Sequence, residues 1–442
     1  MATSLQSDSA GPPIPRGRLP ILGHALQIGR DPLGTIERWT EEVGDFYRID
    51  IPGRNTWVVN RPEEIERIFL HGQNFTKAID VQRASAVFGN GLVLSEGELW
   101  KKQRRMMQPA FHKERIAAYG ARMVDLTEQA LAAWVPGDVR DIHKDAMALT
   151  LKIATDTLFG DDEVPSTEVG ESLEAVTGRF DGAMALFPGW LPFGAFARYR
   201  AAVARLDKIV YDVLARRRAH KTERGDLLSI LLNAQDDGVG MSDRQIRDEV
   251  LTLLLAGHET IANALTWTSY LLGQHPEVEQ QVFDEVDALG AAPTSSDLPR
   301  LSYTAAVLNE SMRLYPPVWM MSRQVLDEWT IAGCRIGRGL QVAMFPWIVH
   351  RDPRFFIDPL KFRPERWLDG STKSLPSYAY FPFGGGQRLC IGRSFALLEG
   401  TLVIATVARR YRLRSVSAGR AVPVPSITLR PRGGLPMRVQ RR

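Results

Sequence analysis

Cys390 stands in the run Phe383-Gly384-Gly385-Gly386-Gln387-Arg388-Leu389-Cys390-Ile391-Gly392, which three glycines open and a helical pattern follows. An isolated cysteine in apolar surroundings is ordinarily a small core residue. Glycines change that reading, because a backbone without side chains can turn tightly and approach a bulky group. Such a loop can aim backbone N–H groups at one sulfur, and with the start of a helix dipole these donors favour the thiolate. A thiolate so placed is a metal ligand. With no Cys or His neighbours it cannot build a zinc or iron–sulfur site, which needs several protein ligands. It can supply the single axial bond of a haem iron, whose other four in-plane ligands come from the porphyrin.

A second group, Ala256-Gly257-His258-Glu259-Thr260, lies within a stretch that is apolar nearly all round from Val250 to Ala264. A carboxylate and a hydroxyl there are costly unless they are satisfied or used. Thr260 can donate to the carbonyl of Ala256, four residues back, and loosen the turn. With Gly257 beside it the helix can open a small groove, where acid and alcohol can relay protons. His258-Glu259 invites a zinc-protease reading, but Ala262 stands where the second histidine must be, so that reading fails. Glu310 and Arg313 form an i,i+3 pair that on a surface would contribute only about 0.2–0.5 kcal/mol. Trp100 and Arg104 share a helical face at i,i+4, and an indole N–H with a guanidinium suits a carboxylate.

The pattern Phe-x-x-Gly-x-Arg-x-Cys-x-Gly resembles the haem-binding signature of the cytochrome P-450 family, the haem-thiolate monooxygenases, and the chain looks like the soluble bacterial type. Ala256–Thr260 is similar to that family's oxygen-activation motif. Glu310-x-x-Arg313 with Phe362-Arg363-Pro364-Glu365-Arg366-Trp367 resembles its buried charge network, with Trp367 where many relatives have Phe. The resemblance runs from about Pro12 to the C-terminus. It implies a mainly α fold with a small β-rich part, one triangular catalytic domain over 12–442, and a disordered polar segment over 1–11. Haem b (iron protoporphyrin IX) would lie between a long central helix and the cysteine loop. Cys390 would be the axial ligand, and Thr260 and Glu259 would supply protons to the O2 chemistry. Trp100, Arg104, Arg323 and Arg388 would meet the propionates, and Ala256, Gly257, Phe383, Gly384 and Gly392 would lie against the macrocycle. Glu310, Arg313 and Arg366 would form the structural network.

These residues need elements to position them. Asp45–Ile51, a turn at Gly53 and Thr56–Val59 read as strand, turn and strand. Pro62–Leu70 reads as a short helix with Pro at its start, and 80–95 as a loop. Helical patterns fill most of 98–290, including Asp226–Leu232, closed by polar Gln235–Gly238. Ser242-Asp243 caps a long helix that His275-Pro276 stops near Gln274. A further helix spans about Tyr303–Leu314. Strands follow near Thr330–Ala332, Arg335–Ile336 and Leu340–Met344, with an amphipathic helix from Cys390 to about Tyr411.

Composition narrows the class. The 442 residues are 44% hydrophobic, enough for a large core, and the net charge of +4 is too mild to imply nucleic-acid binding. Cys334 and Cys390 are the two cysteines; if one binds metal no disulfide remains, which fits a reducing compartment. Met1–Ala10 has neither the basic nor the apolar region of a signal peptide, and no run of about 20 apolar residues occurs, so no membrane anchor and a cytoplasmic location are expected. Lys101-Lys102, Arg104-Arg105, Arg388, Arg393 and Arg409-Arg410 suggest a basic dock for an acidic electron carrier. No flavin domain or dinucleotide fingerprint is seen, so a separate ferredoxin or flavodoxin with its own NAD(P)H-dependent reductase is expected, and a monomer.

The expected reaction is hydroxylation or epoxidation of a hydrophobic small molecule, a terpenoid or other secondary metabolite, with a fatty acid as second choice. Pocket walls are expected from Val87–Leu94 (Val87, Phe88 and Val93 among them), Ala183–Phe193, the central helix, and Val318 with Trp319. Two rivals remain. A peroxide-driven peroxygenase of this type lacks the acid–alcohol pair and needs an arginine to hold a substrate carboxylate. A non-enzymatic haem-thiolate gas or redox sensor needs no proton relay and usually carries a signalling module.

Overall fold

The computed structural model describes residues 11–78, 82, 85–160, 162, 164–180, 194–220, 225–416 and 419–442. The chain forms two compact units, one of Met1–Gln82, Trp319–Pro359 and Leu375–Leu389, the other of Arg83–Val318, Leu360–Ser374 and Cys390–Arg442.

The first unit is built on a five-stranded sheet in the order Phe46–Ile51, Arg54–Val59, Gln341–Met344, Met321–Val325, Phe75–Lys77. Its pairings are antiparallel except between Arg54–Val59 and Gln341–Met344, which run parallel. The first hairpin is the one read from the sequence, closed at Gly53. The helix Pro62–Leu70 spaces Ile65, Ile68 and Phe69 at i, i+3 and i+4 and buries them with Phe46, Trp57 and Val342. A small hairpin of Trp329–Ile331 and Cys334–Ile336 holds Cys334, partly buried against the same core.

The second unit is helical and centred on Asp243–Gln274, a helix of 32 residues, about 48 Å long at 1.5 Å per residue. Ser242 and Gln245 form a reciprocal capping box at its start, and Pro276 begins the next helix. Ile142–Phe159 runs against it, and Thr150 Oγ1 donates to the carbonyl of His258 at 3.0 Å. Trp267 stacks on Tyr315 at 4.2 Å and donates its indole N–H to the carbonyl of Leu429.

Glu310 and Arg313, on the helix Ser302–Leu314, are fully buried. The Glu310 carboxylate accepts from Arg313 Nε and Nη2 (2.9 and 2.8 Å), Arg366 Nε (2.9 Å), Trp367 Nε1 (3.0 Å) and the backbone N–H of Arg363 (3.0 Å). The pair is thus the centre of a sealed network that also seats the short 3-10 turn Pro364–Trp367.

Three sequence expectations need correction. The helix after the cysteine, Arg393–Ala408, is not amphipathic: Leu398 to Thr406 is buried on every face, because helices pack around it on all sides. It also ends before Tyr411, which opens the strand Tyr411–Ser415. Within 80–95, expected as a loop, Ser85–Phe88 form a helical turn.

Removing Glu310 leaves two arginines buried without their carboxylate, so Glu310→Ala should cost about 3–5 kcal/mol in urea unfolding. The exposed Glu328–Arg335 pair gives the contrast: Glu328→Ala should leave the unfolding midpoint where it is.

Candidate active site

The glycines before the cysteine are fixed by contacts inside the first unit. Gly386 has φ +58°, and a Cβ there would meet the Phe69 carbonyl oxygen at 2.1 Å; its N–H donates to Tyr378 Oη at 3.1 Å. Arg388 ends the turn Gly386–Arg388, and Gly384, at φ +72°, approaches Met321. Phe383 is partly buried. Arg323, on Met321–Val325, lies 5.5 Å over the Phe69 ring and donates to the Ser322 carbonyl.

In the second unit Cys390 is recessed yet accessible. Burial raises its thiol pKa, while the N–H of Gly392 and the guanidiniums of Arg104 and Arg393 draw it down. Burial prevails, so the protein alone holds a neutral thiol, and one backbone donor is seen where the sequence suggested several. Loss of that proton must therefore accompany metal binding. Among the described residues no group of three or more His, Cys, Asp or Glu could hold a metal ion, so a metal on this sulfur must bring other ligands with it. Haem does. Trp100 and Arg104 lie on the helix Gly97–Met107, with Trp100 buried and Arg104 within electrostatic reach of Cys390, which suits a macrocycle carrying carboxylates.

The central helix completes the second unit's part. From Ile246 to Thr268 it is buried except at Leu253, Ala256, Gly257 and Thr260, spaced i, i+3, i+4 and i+7 on a single face. Thr260 Oγ1 donates to the Ala256 carbonyl at 2.7 Å, as its spacing predicts. Glu259 is buried off that stripe. Its Oε1 accepts from Thr428 Oγ1 at 2.5 Å, and Asn263 Nδ2 donates to the same hydroxyl at 2.9 Å. The alcohol thus faces open space while the acid is stored behind it. Buried His258 donates its Nδ1–H to the Leu254 carbonyl at 2.8 Å, and burial lowers its pKa.

Sequence reasoning missed Thr428, an ordinary residue in an irregular strand region. It also missed a clasp on the loop expected to wall the pocket. Asp248 accepts from the N–H of Asn90 and Glu249 from that of Leu92, both at 2.9 Å. Gly89 and Gly91 pack so closely that a Cβ on either would meet Asp248 or Thr252 near 2.1–2.2 Å. Two adjacent acids in a buried stretch were the available signal. Val87 is wholly buried in the core with Leu92 and Trp100, Phe88 packs against them, and Val93 is partly buried. Val318 is partly buried. Trp319, in the first unit, packs 6.0 Å from Phe345. Ala183–Phe193 falls outside the described residues.

The cytochrome P-450 family model matches residues 12–434. The chain is 39% identical over 422 residues to cyclooctat-9-en-7-ol 5-monooxygenase of Streptomyces melanosporofaciens, covering 93% of this chain and 90% of the relative. It is 36% identical to cyclooctatin synthase of the same organism (93% and 92%) and 34% identical to pentalenene oxygenase of Streptomyces avermitilis (90% of each). A retinoic acid-bound cyanobacterial structure superposes with TM-score 0.88 at 26% identity, covering 98% of this chain and 100% of that one. A cytochrome P-450 heme domain gives 0.87 at 28%, covering 98% of each. The chain belongs to the cytochrome P-450 family. It is a monooxygenase of that family, whose members take hydrophobic small molecules. No helix among the described residues is long and apolar enough to cross a membrane.

Burial raises the Glu249 pKa from 4.5 to about 8, with Asp248 adding to the rise and the Leu92 N–H opposing it. Between those values the folded carboxyl keeps a proton that the unfolded one has lost, so stability falls as pH rises through the window. Glu249→Gln cannot titrate. Its stability relative to wild type should increase by on the order of 3–5 kcal/mol between pH 4.5 and 8 and then level off, measured by urea unfolding across that range.

Proposed function

We propose that the protein hydroxylates or epoxidises a terpenoid of secondary metabolism. The observation that carries this reading is the accessible stripe of Leu253, Ala256, Gly257 and Thr260: small and apolar, with a single hydroxyl. Relatives named for cyclooctat-9-en-7-ol and pentalenene act on molecules of that uncharged kind. A fatty acid ranks second, since no arginine stands on that stripe to hold a carboxylate.

The chain's own residues divide the work. Cys390 would give up its proton on holding haem b, Trp100, Arg104, Arg323 and Arg388 would meet its propionates, and Gly257 would leave room for the ring. When bound, thiolate-ligated haem supplies the electron push that favours O–O cleavage, an effect for which this family is the standard instance. Thr260 turns its hydroxyl from the Ala256 carbonyl toward the open face and hands on a proton. Glu259, released from Thr428, restores it. Two protons and two electrons are consumed as one oxygen atom enters the substrate and the other leaves as water. An apolar guest keeps bulk water from short-circuiting the relay.

Electrons come from a separate ferredoxin or flavodoxin, reduced by its own NAD(P)H-dependent enzyme, and the protein works as a cytoplasmic monomer. Of the basic cluster, Lys101 pairs with Glu98, Arg105 with Asp236 and Arg410 with Glu128.

Thr260→Ala should cut product formed per O2 consumed by about tenfold or more, with the balance released as hydrogen peroxide; peroxide-supported turnover should persist. Unchanged coupling would overturn the proton-delivery role of Thr260. A terpenoid guest should shift the haem absorbance toward high spin, and the purified protein with NADPH alone should not turn over.

A further inference from the structure

The second unit holds a cavity of about 440 Å3 that includes neither Cys390 nor any residue of the accessible stripe. Its walls come from the last part of the central helix (Leu265, Leu272), from Leu131 and Trp134, and from Phe283 and Val403. Protein interiors are packed like organic crystals, and apolar groups facing a gap forfeit their contacts. A space within the 300–1,000 Å3 range of small-molecule sites, lined by aliphatic and aromatic side chains, is a place to bind something.

The polar groups around it define what that is. Arg140 donates to Asp145 at 2.6 and 2.9 Å, and Glu279 accepts from Arg414 at 2.8 and 2.5 Å. Thr268 and Ser269 donate their hydroxyls to the helix carbonyls of Ala264 and Leu265, at 2.7 and 2.9 Å. Lys152, also on the wall, is exposed to solvent. Each inward charge already has its counter-charge and each hydroxyl its acceptor. A guest bringing its own charge would lose its hydration with nothing to replace it. We propose that this cavity is a second small-molecule site, separate from the monooxygenase pocket, for an uncharged apolar guest.

The test uses holoenzyme whose iron is saturated with 4-phenylimidazole, titrated with the uncharged fluorophore N-phenyl-1-naphthylamine. About one equivalent should still bind and quench tryptophan emission, and Trp134→Phe should bind equally while losing most of that quenching. Ala146→Phe and Ala408→Phe, which fill the cavity from buried positions, should weaken this azole-resistant binding at least tenfold with the azole difference spectrum unchanged. The anionic analogue 8-anilinonaphthalene-1-sulfonate should bind at least tenfold more weakly than the uncharged probe. No azole-resistant binding, or quenching that survives Trp134→Phe, overturns the site; these two outcomes need no filled variant to fold. Equal binding by a folded filled variant overturns it too, and equal affinity for the anionic analogue overturns the uncharged class.

Discussion

A carboxylate sealed from water must be met by donors on every side or give up its charge, and the Glu310 site shows the first outcome. Arg313, Arg366, Trp367 and the Arg363 N–H converge on it from two separate stretches of chain. The network contributes little by comparison with well-packed apolar side chains of similar volume, but it fails badly when one member is missing. Its effect is therefore geometric. It ties the turn at Pro364–Trp367 to the helix Ser302–Leu314 in one register, since any slip would strand a buried charge.

The second outcome appears where donors are too few. Glu249 has the Leu92 N–H for one oxygen and no partner for the other, and burial pushes its pKa up to about 8. Glu399, in the helix after Cys390, is fully buried, and its carboxyl pKa is raised well above the usual range for the same reason. Both carry their protons at neutral pH, so the helical unit holds ionised and neutral acids side by side. Glu259 lies between these cases, held by a chain of hydroxyl and amide through Thr428 and Asn263. The Thr428 hydroxyl bonds Glu259 as a neutral donor, whereas the Glu310 carboxylate is bonded by two guanidiniums.

Much of the site was legible because its chemistry is local. The cysteine run, the Thr260-to-Ala256 bond, the Ser242 cap and the Trp100–Arg104 face each depend on spacing within a turn or two of chain. Thr428 was invisible because it meets Glu259 across 169 positions. The clasp of Asp248 and Glu249 on Asn90 and Leu92 was equally hidden, since a backbone N–H leaves no mark in the sequence. The helix Arg393–Ala408 was misread as amphipathic because whether a small or polar side chain meets water depends on what packs against it.

The amino-acid sequence by itself determined the glycine-rich setting of Cys390, the adjacent Glu259 and Thr260, the partners of the buried charge network and the helical framework, because residue type, i,i+3 and i,i+4 spacing and capping are properties of a short stretch of chain. Only the tertiary structure decided that Thr260 faces open space while Glu259 is stored behind it, that Cys390 is held as a neutral thiol, and that an apolar cavity lies beside the far end of the same helix. Those are matters of burial and of which distant groups come together. Dielectric surroundings and packing arise when the whole unit closes, and no segment carries them alone.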